Sequence, residues 1–170
     1  VDNSLLLKKV YIPKYIFPIE KVMFAFVNAL FSLIAVVIVL LILKVPVSWT
    51  ILLFPIPLIY TLIFSAGLGL ILSTLNVFFR DTEHLYGVFV TAWMYLTPII
   101  YPMEMLPNIM QKLMKFNPLY HYVEYFRQVV LYGMIPDLKE NLICICCSLL
   151  FFIVGLLFFK NKQDKFILFI

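Results

Sequence analysis

Four apolar runs set the pattern of this chain. Residues 22–43, 50–73, 85–103 and 141–159 contain no Asp, Glu, Lys or Arg, and charged or proline-broken stretches separate them. At 1.5 Å per residue, the run 22–43 makes a helix of roughly 33 Å, enough to cross a hydrocarbon core of about 30 Å. The runs 85–103 and 141–159 are just long enough. The pattern predicts an all-α integral membrane fold with about four transmembrane helices. Pro55 and Pro57 are expected to bend the second crossing near its start. Ser65, Ala66, Gly67 and Gly69 make its later half small, so that another helix can approach closely. Tyr86, Phe89 and Trp93 recur at helical spacing and share one face of the third crossing, which Pro98 and Pro102 kink or end. Asn28, the one strongly polar residue of the first crossing, is expected to bond a neighbouring helix.

The interruptions carry most of the polar residues. In 1–21, Leu5, Leu6 and Leu7 precede Lys8 and Lys9, and Pro13 and Pro18 are expected to interrupt any helix. This stretch reads either as an amphipathic segment at the membrane surface or as a basic juxtamembrane linker. Lys44 to Trp49 is a tight turn, and 80–84 is a short charged one, Arg80-Asp81-Thr82-Glu83-His84. Residues 104–140 are too polar and broken to span. Two short helices fit there: one over about 105–115, and one that starts at Asn117-Pro118, with Asn as cap and Pro at the first helical position, and ends at Gly133. The second has Leu119, Tyr122, Val123, Phe126, Val129 and Val130 on one side, and His121, Glu124 and Arg127 on a more polar side. Such a pair lies in the interface or dips into it, provided protein or water shelters its ends. Residues 160–170 close the chain with Lys160, Lys162 and Lys165.

Composition strengthens the membrane reading. The chain of 170 residues is 64% hydrophobic and 13% charged, with a mean hydropathy of +1.05, whereas soluble domains are nearer half apolar and a quarter charged. The net charge of +4 comes from Lys and Arg dispersed in loops, which argues against a nucleic-acid partner. Placing both chain ends in the cytoplasm puts Lys8, Lys9, Lys14, Lys21, Arg80 and the basic tail on the inner side. Lys44, Lys112, Lys115, Arg127 and Lys139 fall outside, so the positive-inside bias supports an even number of crossings. The 80–84 turn is then cytoplasmic and 104–140 external. Cys144, Cys146 and Cys147 sit in an apolar run without a CxxC pair and read as small membrane-helix residues.

Several chemistries are disfavoured. No phosphate-cradling GxxxxGK[ST] and no HExxH occurs. The two histidines, His84 and His121, fall on opposite sides in this topology. The crossings lack the ionisable groups with which ion-coupled transporters carry their coupling ion, and they lack a nucleophile and base for hydrolysis. No cofactor is expected in this chain.

Asn76-Val77-Phe78-Phe79-Arg80-Asp81 followed by His84 resembles the NxxxRD…H signature of ABC type 2 permeases, in the branch that exports lipid-linked polysaccharides and teichoic acids. Thr97-Pro98-Ile99-Ile100-Tyr101-Pro102 resembles the family's TPIxYP. Asn117-Pro118-Leu119 with Tyr125-Phe126-Arg127 resembles its NPL…FR segment, followed by Tyr132-Gly133 as in the family. Leu7-Lys8-Lys9-Val10-Tyr11-Ile12-Pro13-Lys14 with Ile16-Phe17-Pro18 resembles LIKKVxFPRxxFP, with Lys14 where Arg is commoner. The motifs occur in order along essentially the whole chain. Family permeases have six crossings, so the resemblance implies that an N-terminal part, including two crossings, is absent here.

The resemblance also implies roles. Lys8, Lys9, Lys14, Arg80, Asp81, Glu83 and His84 would form cytoplasmic coupling elements docking on a separate ATP-binding subunit, which binds the ATP. Pro98, Tyr101, Pro102, Asn117, Pro118 and Arg127 would belong to an external gate. A second permease copy would complete the channel, and the protein would sit in the bacterial inner membrane with a lipid-linked glycopolymer as cargo. Tyr86, Phe89 and Trp93 either line that channel, offering flat faces to sugar C–H surfaces, or pack between helices. Arg127 and His121 either meet a lipid-linked pyrophosphate or, for Arg127, pair with Glu124. Lys8, Lys9 and Lys14 could equally hold anionic membrane lipid. Two other readings stand beside the glycopolymer exporter: export of a drug or small lipid, and a membrane-bound glycosyl- or acyltransferase using Glu104, Glu124 and His121.

Overall fold

A computed structural model describes residues 13–44, 48–79, 81–99, 101–163 and 166. Lys8, Lys9 and Arg80, expected to take part in coupling, lie outside the described residues. The architecture is all-α. Three helices are long and apolar enough to cross a membrane, and shorter helices are placed around them.

The first long helix, α1 (Ile16–Ile42), starts earlier than the expected crossing at 22. Pro18 does not interrupt it. It occupies the first turn, where its missing N–H would have no intrahelical partner anyway. Leu40 alone is buried on α1 among the described residues. Asn28 is exposed on this helix and does not make the expected bond to another helix among the described residues.

After Lys44, which adopts φ +51°, a 3₁₀ turn at Trp49–Leu53 leads into α2 (Pro55–Phe78). The expected bend near Pro55 and Pro57 is this change from 3₁₀ to α-helix at Phe54. Pro55 takes the first helical position, where its fixed φ suits the start of a helix.

The fold is built around the pairing of α2 with the last long helix, α6 (Leu138–Lys162). The two run parallel: Tyr60 meets Asn141, Gly67 meets Gly155, and Leu70 clusters with Phe159. The small half of α2 brings the helices together, as its sequence led one to expect. A Cβ on Gly67 would overlap the backbone carbonyl of Phe151 and stand 2.6 Å from the Phe152 nitrogen. A Cβ on Gly155 would overlap the Gly67 carbonyl oxygen. Cys144 and Ser148 extend the small face of α6 and are fully buried, so Cys144 is a packing residue. Small residues allow such backbone proximity, and in lipid the resulting dispersion contacts take the place of a hydrophobic driving force between helices. Helix α1 packs antiparallel on α2, with Val22 Cγ2 3.1 Å from where a Gly69 Cβ would lie.

The expected third crossing, 85–103, is realised differently. Its helix, α3 (Thr82–Leu96), starts three residues earlier and stops well before 103. Pro98 disfavours helical geometry at the preceding residue, and Thr97 is extended, at φ −74° and ψ 128°. A helix of 15 residues is about 22 Å long, short of a full hydrocarbon core. Beyond it come a 3₁₀ turn at Met103–Met105 and two short helices, α4 (Asn108–Met114) and α5 (Pro118–Val130). These are the two short helices expected in 104–140. Helix α5 stops at Val130, and Gly133 at φ +63° turns the chain so that the Met134 N–H reaches back to the Gln128 carbonyl at 2.9 Å. This is the left-handed stop that glycine permits.

Candidate functional site

The expected site residues fall into two groups, at opposite ends of α3. One group, called inner after the side on which the charge pattern is expected to place it, gathers where α1 starts and α6 ends. Lys14 Nζ donates to the Gln163 carbonyl at 2.8 Å and sits 5.6 Å from the Phe166 ring centroid. Gln163 caps α6, so this ammonium lies at the negative end of that helix dipole, a favourable place for a cation. Phe166 in turn packs with Phe159, Leu70 and Phe78. The start and the end of the described chain therefore lie at the same end of the bundle. Asp81 begins α3 without a side-chain cap bond, and Asp81, Glu83 and His84 are exposed. Thr82 Oγ1 closes the turn onto the Phe79 carbonyl at 2.6 Å.

Between the two groups runs an open groove of about 590 Å³ along α2 and α3. Leu68, Leu72 and Leu75 form one wall, Tyr86, Phe89 and Trp93 the other, and Asp81 and Thr82 its inner mouth. The shared face expected for the three aromatics is present. They are not equivalent, however. Phe89 is exposed and Tyr86 is partly exposed. Trp93 closes the outer end by packing on buried Phe64, with ring centroids 6.4 Å apart, and its Nε1–H donates to Asn117 Oδ1 at 3.1 Å.

The outer group is a connected hydrogen-bond network. Asn117, buried as expected for a structured cap, accepts from the Leu119 N–H at 3.1 Å and donates from Nδ2 to Thr97 Oγ1 at 2.8 Å. Thr97 Oγ1 donates to the Trp93 carbonyl at 2.8 Å. The Tyr101 hydroxyl donates to the Tyr95 carbonyl at 2.6 Å. Arg127 Nη2 donates to the Ile99 carbonyl at 2.6 Å, a closer contact than its Nη1 makes with Glu124 Oε2 at 3.9 Å. Arg127 is thus engaged mainly with the 97–102 segment. Pro98 is buried in the same place, whereas Pro102 is exposed and Pro118 partly exposed. The network satisfies the last carbonyls of α3 and the first N–H of α5, groups that a helix leaves without intrahelical partners.

Helix α5 reaches inward. Tyr122 packs on Phe64, nine positions into α2 and so about 13 Å from its first residue. Tyr125 packs on Tyr60, and the Val129 carbonyl accepts from Thr50 at 2.8 Å. The α4–α5 pair therefore dips alongside the spans, its inner turn sheltered by Asn117. His121 is buried, and its partners on the polar side it shares with Glu124 are themselves polar. Its Nε2 lies 2.8 Å from the Lys115 carbonyl and its Nδ1 3.2 Å from Glu140 Oε1. A carbonyl only accepts, so Nε2 carries a proton. His121 thus clamps α5 to the α4–α5 turn and to the first turn of α6. Tyr122 Oη is 2.9 Å from Ser148 Oγ. Burial pushes this phenol up to about 12, against the pull of the Ser148 hydrogen bond. Burial, then the Glu124 and Glu140 carboxylates, raise Tyr120 as well.

Sequence reasoning missed Thr97, Ser148 and Glu140 as network members. The Thr-Pro step that ends an apolar run could have signalled Thr97. Ser148 and Glu140 meet α5 only through tertiary placement. Among the described residues no group of three or more His, Cys, Asp or Glu side chains is placed to hold a metal.

These features define a multi-span integral membrane protein with a re-entrant helix pair. The sequence matches the ABC-2 type transporter family over residues 2–131, and the chain belongs to that family of transport permeases. It is 28% identical over 170 residues to an O-antigen export system permease protein RfbA of Klebsiella pneumoniae, aligning 98% of this chain with 64% of that one. It is 23% identical over 167 residues to an O-antigen export system permease protein RfbA of Myxococcus xanthus, aligning 97% of this chain with 64% of the relative. The chain thus spans slightly less than two thirds of the length of these relatives.

Proposed function

We propose that this chain forms part of the transmembrane subunit of an ATP-driven exporter that moves a lipid-linked polysaccharide or teichoic acid across the bacterial inner membrane. A separate subunit binds and hydrolyses ATP, and a second copy of the permease completes the channel. The segment 1–21 and the 80–84 turn dock on the ATP-binding subunit from the cytoplasm. Tyr86 and Phe89 line the path, and the 97–102 segment with α4 and α5 gates its outer mouth. The O-antigen export for which the relatives are named supports a glycan cargo.

The observation that carries this reading is the groove between α2 and α3. It has aromatic faces along one wall, and among the described residues that line it only Asp81, at its inner mouth, is charged. Such a surface can hold sugar C–H faces without fixing a charged group, so a polymer can slide along it. The charged turn at one end of α3 and the hydrogen-bonded 97–102 segment at the other both adjoin the groove, which supports reading them as its two control points.

The test is export in cells that carry the permease with its ATP-binding subunit. Changing Tyr86 and Phe89 together to Ala is expected to cut surface glycopolymer at least fivefold while the complex still assembles. Unchanged glycopolymer export would contradict the channel role of these aromatics, while a drug or small-lipid cargo would be favoured if removing the whole permease left surface glycopolymer unchanged. A double Arg80→Ala, Asp81→Ala variant is expected to abolish stimulation of ATP hydrolysis by the permease. Normal coupling in that variant would overturn the docking role.

A further inference from the structure

We infer that the Asn117 carboxamide is a positioning residue joining the α4–α5 pair to α3, so that α3 turns about its outer end when its inner end is displaced. The inference rests on the exporter reading for its consequence, but not for the joint itself.

Little else holds α3 among the described residues. It has no buried residue, and the groove separates it from α2 over most of its length. Its inner end carries exposed Asp81, Glu83 and His84. Besides the Tyr101 hydroxyl on the Tyr95 carbonyl, two features fix its outer end. Trp93 packs against Phe64, and Asn117 bonds to two residues one helical turn apart, Trp93 and Thr97.

The carboxamide is used on both sides. Oδ1 accepts from the Trp93 indole and the Leu119 N–H, and Nδ2 donates to Thr97 and approaches Met114 Sδ at 3.8 Å. Two acceptor and two donor positions are what this side chain can offer. Aspartate would keep both acceptances and lose the donation to Thr97. Leucine would leave the Trp93 and Leu119 N–H groups without partners in a site shielded from water. One side chain therefore caps α5 and grips the last turn of α3. A push on the exposed inner end of α3 meets resistance at this joint, and the groove beside it changes width.

The experiment uses the full-length permease in complex with its ATP-binding subunit. With Trp49 changed to Phe, Trp93 is the one tryptophan left of the two in this 170-residue sequence, and 5-fluorotryptophan labelling of the permease alone, with any tryptophan outside these residues also changed to Phe and the ATP-binding subunit added unlabelled, gives a single ¹⁹F resonance. Asn117→Leu is expected to shift and broaden that resonance and to lower polymer exported per ATP hydrolysed at least tenfold. Thr97→Val, which keeps volume and loses one bond, is expected to give a smaller shift and a two- to fivefold loss. Should Asn117→Leu fail to assemble, Thr97→Val and Asn117→Asp carry the test. A ¹⁹F resonance that none of the variants moves would overturn the joint. A shifted resonance with an unchanged export-to-hydrolysis ratio would overturn the pivot. A complex that exports no glycopolymer with the native residues counts against the exporter reading, while the resonance still reports on the joint.

Discussion

The α2–α6 pair and the α3 helix solve the same problem in opposite ways. In the pair, Gly67 and Gly155 bring two backbones into direct contact, and Cys144, Ser148, Phe64 and Leu70 are buried beside them. Helix α3 buries none of its residues and is held by side-chain hydrogen bonds at its outer end. Backbone contacts leave no slack, because neither partner can move aside by changing a rotamer. A helix gripped mainly at one end by an amide and an indole has more room to turn. On the inference above, the difference separates a frame from a moving part among the described residues.

The comparison breaks most directly at the frame. Gly155→Leu or Gly67→Leu should cost at least about 3 kcal/mol and abolish recovery of monodisperse protein, as read by size-exclusion chromatography in detergent. The matching change on the moving part, Gly87→Ala, should be harmless or stabilise by about 0.5–1 kcal/mol, because nothing lies within 4 Å of the added methyl and alanine favours a helix over glycine. Equal loss of folded protein in both would erase the contrast. Next comes the re-entrant pair. His121→Leu removes the clamp to Lys115 and leaves Glu140 without this partner. It should destabilise by about 1–3 kcal/mol, measured as a lower thermal midpoint of the purified protein. Arg127→Gln should loosen the 97–102 segment by about 1 kcal/mol, visible as faster hydrogen exchange at Ile99 and Tyr101. Smallest is Lys14→Ala, which removes one partly exposed cation from the end of α6. A loss of at most about 1 kcal/mol is expected, measured by the same thermal midpoint.

Much of this was legible in the chain. Three crossings followed from uncharged length, and the close approach followed from Gly67 and its neighbours. Asn117-Pro118 announced the start of α5, since capping and proline placement are local chemistry. Two boundaries were misread because local rules compete. Pro18 looked like a breaker but stands in the first turn, where proline costs nothing. The run 85–103 looked like a full crossing, because an uncharged count does not register the restraint that Pro98 places on Thr97. Spacing with Glu124 put His121 on a polar side, which its bonds to Glu140 and the Lys115 carbonyl fit, but its burial depends on tertiary placement that spacing does not register. The candidate site was legible as residue types and not as bonds. Asn117, Arg127 and Tyr101 were singled out, but their partners on Thr97, Ile99 and Tyr95 depend on how α3 meets α5.

Distance measurement by pulsed electron spin resonance on the assembled exporter tests frame against lever most directly. Non-thiol spin labels suit it, since Cys144, Cys146 and Cys147 are free. One pair, at Glu83 and Lys160, spans the inner ends of α3 and α6. A second, at Ile59 and Leu157, spans the frame, and both of its sites are exposed. Trapping the ATP-bound state is expected to shift the first distance by several ångströms, on the order of one helical turn or less, and to leave the second within its original distribution. A second distance that moves as much as the first, or a first that does not move, would contradict the account.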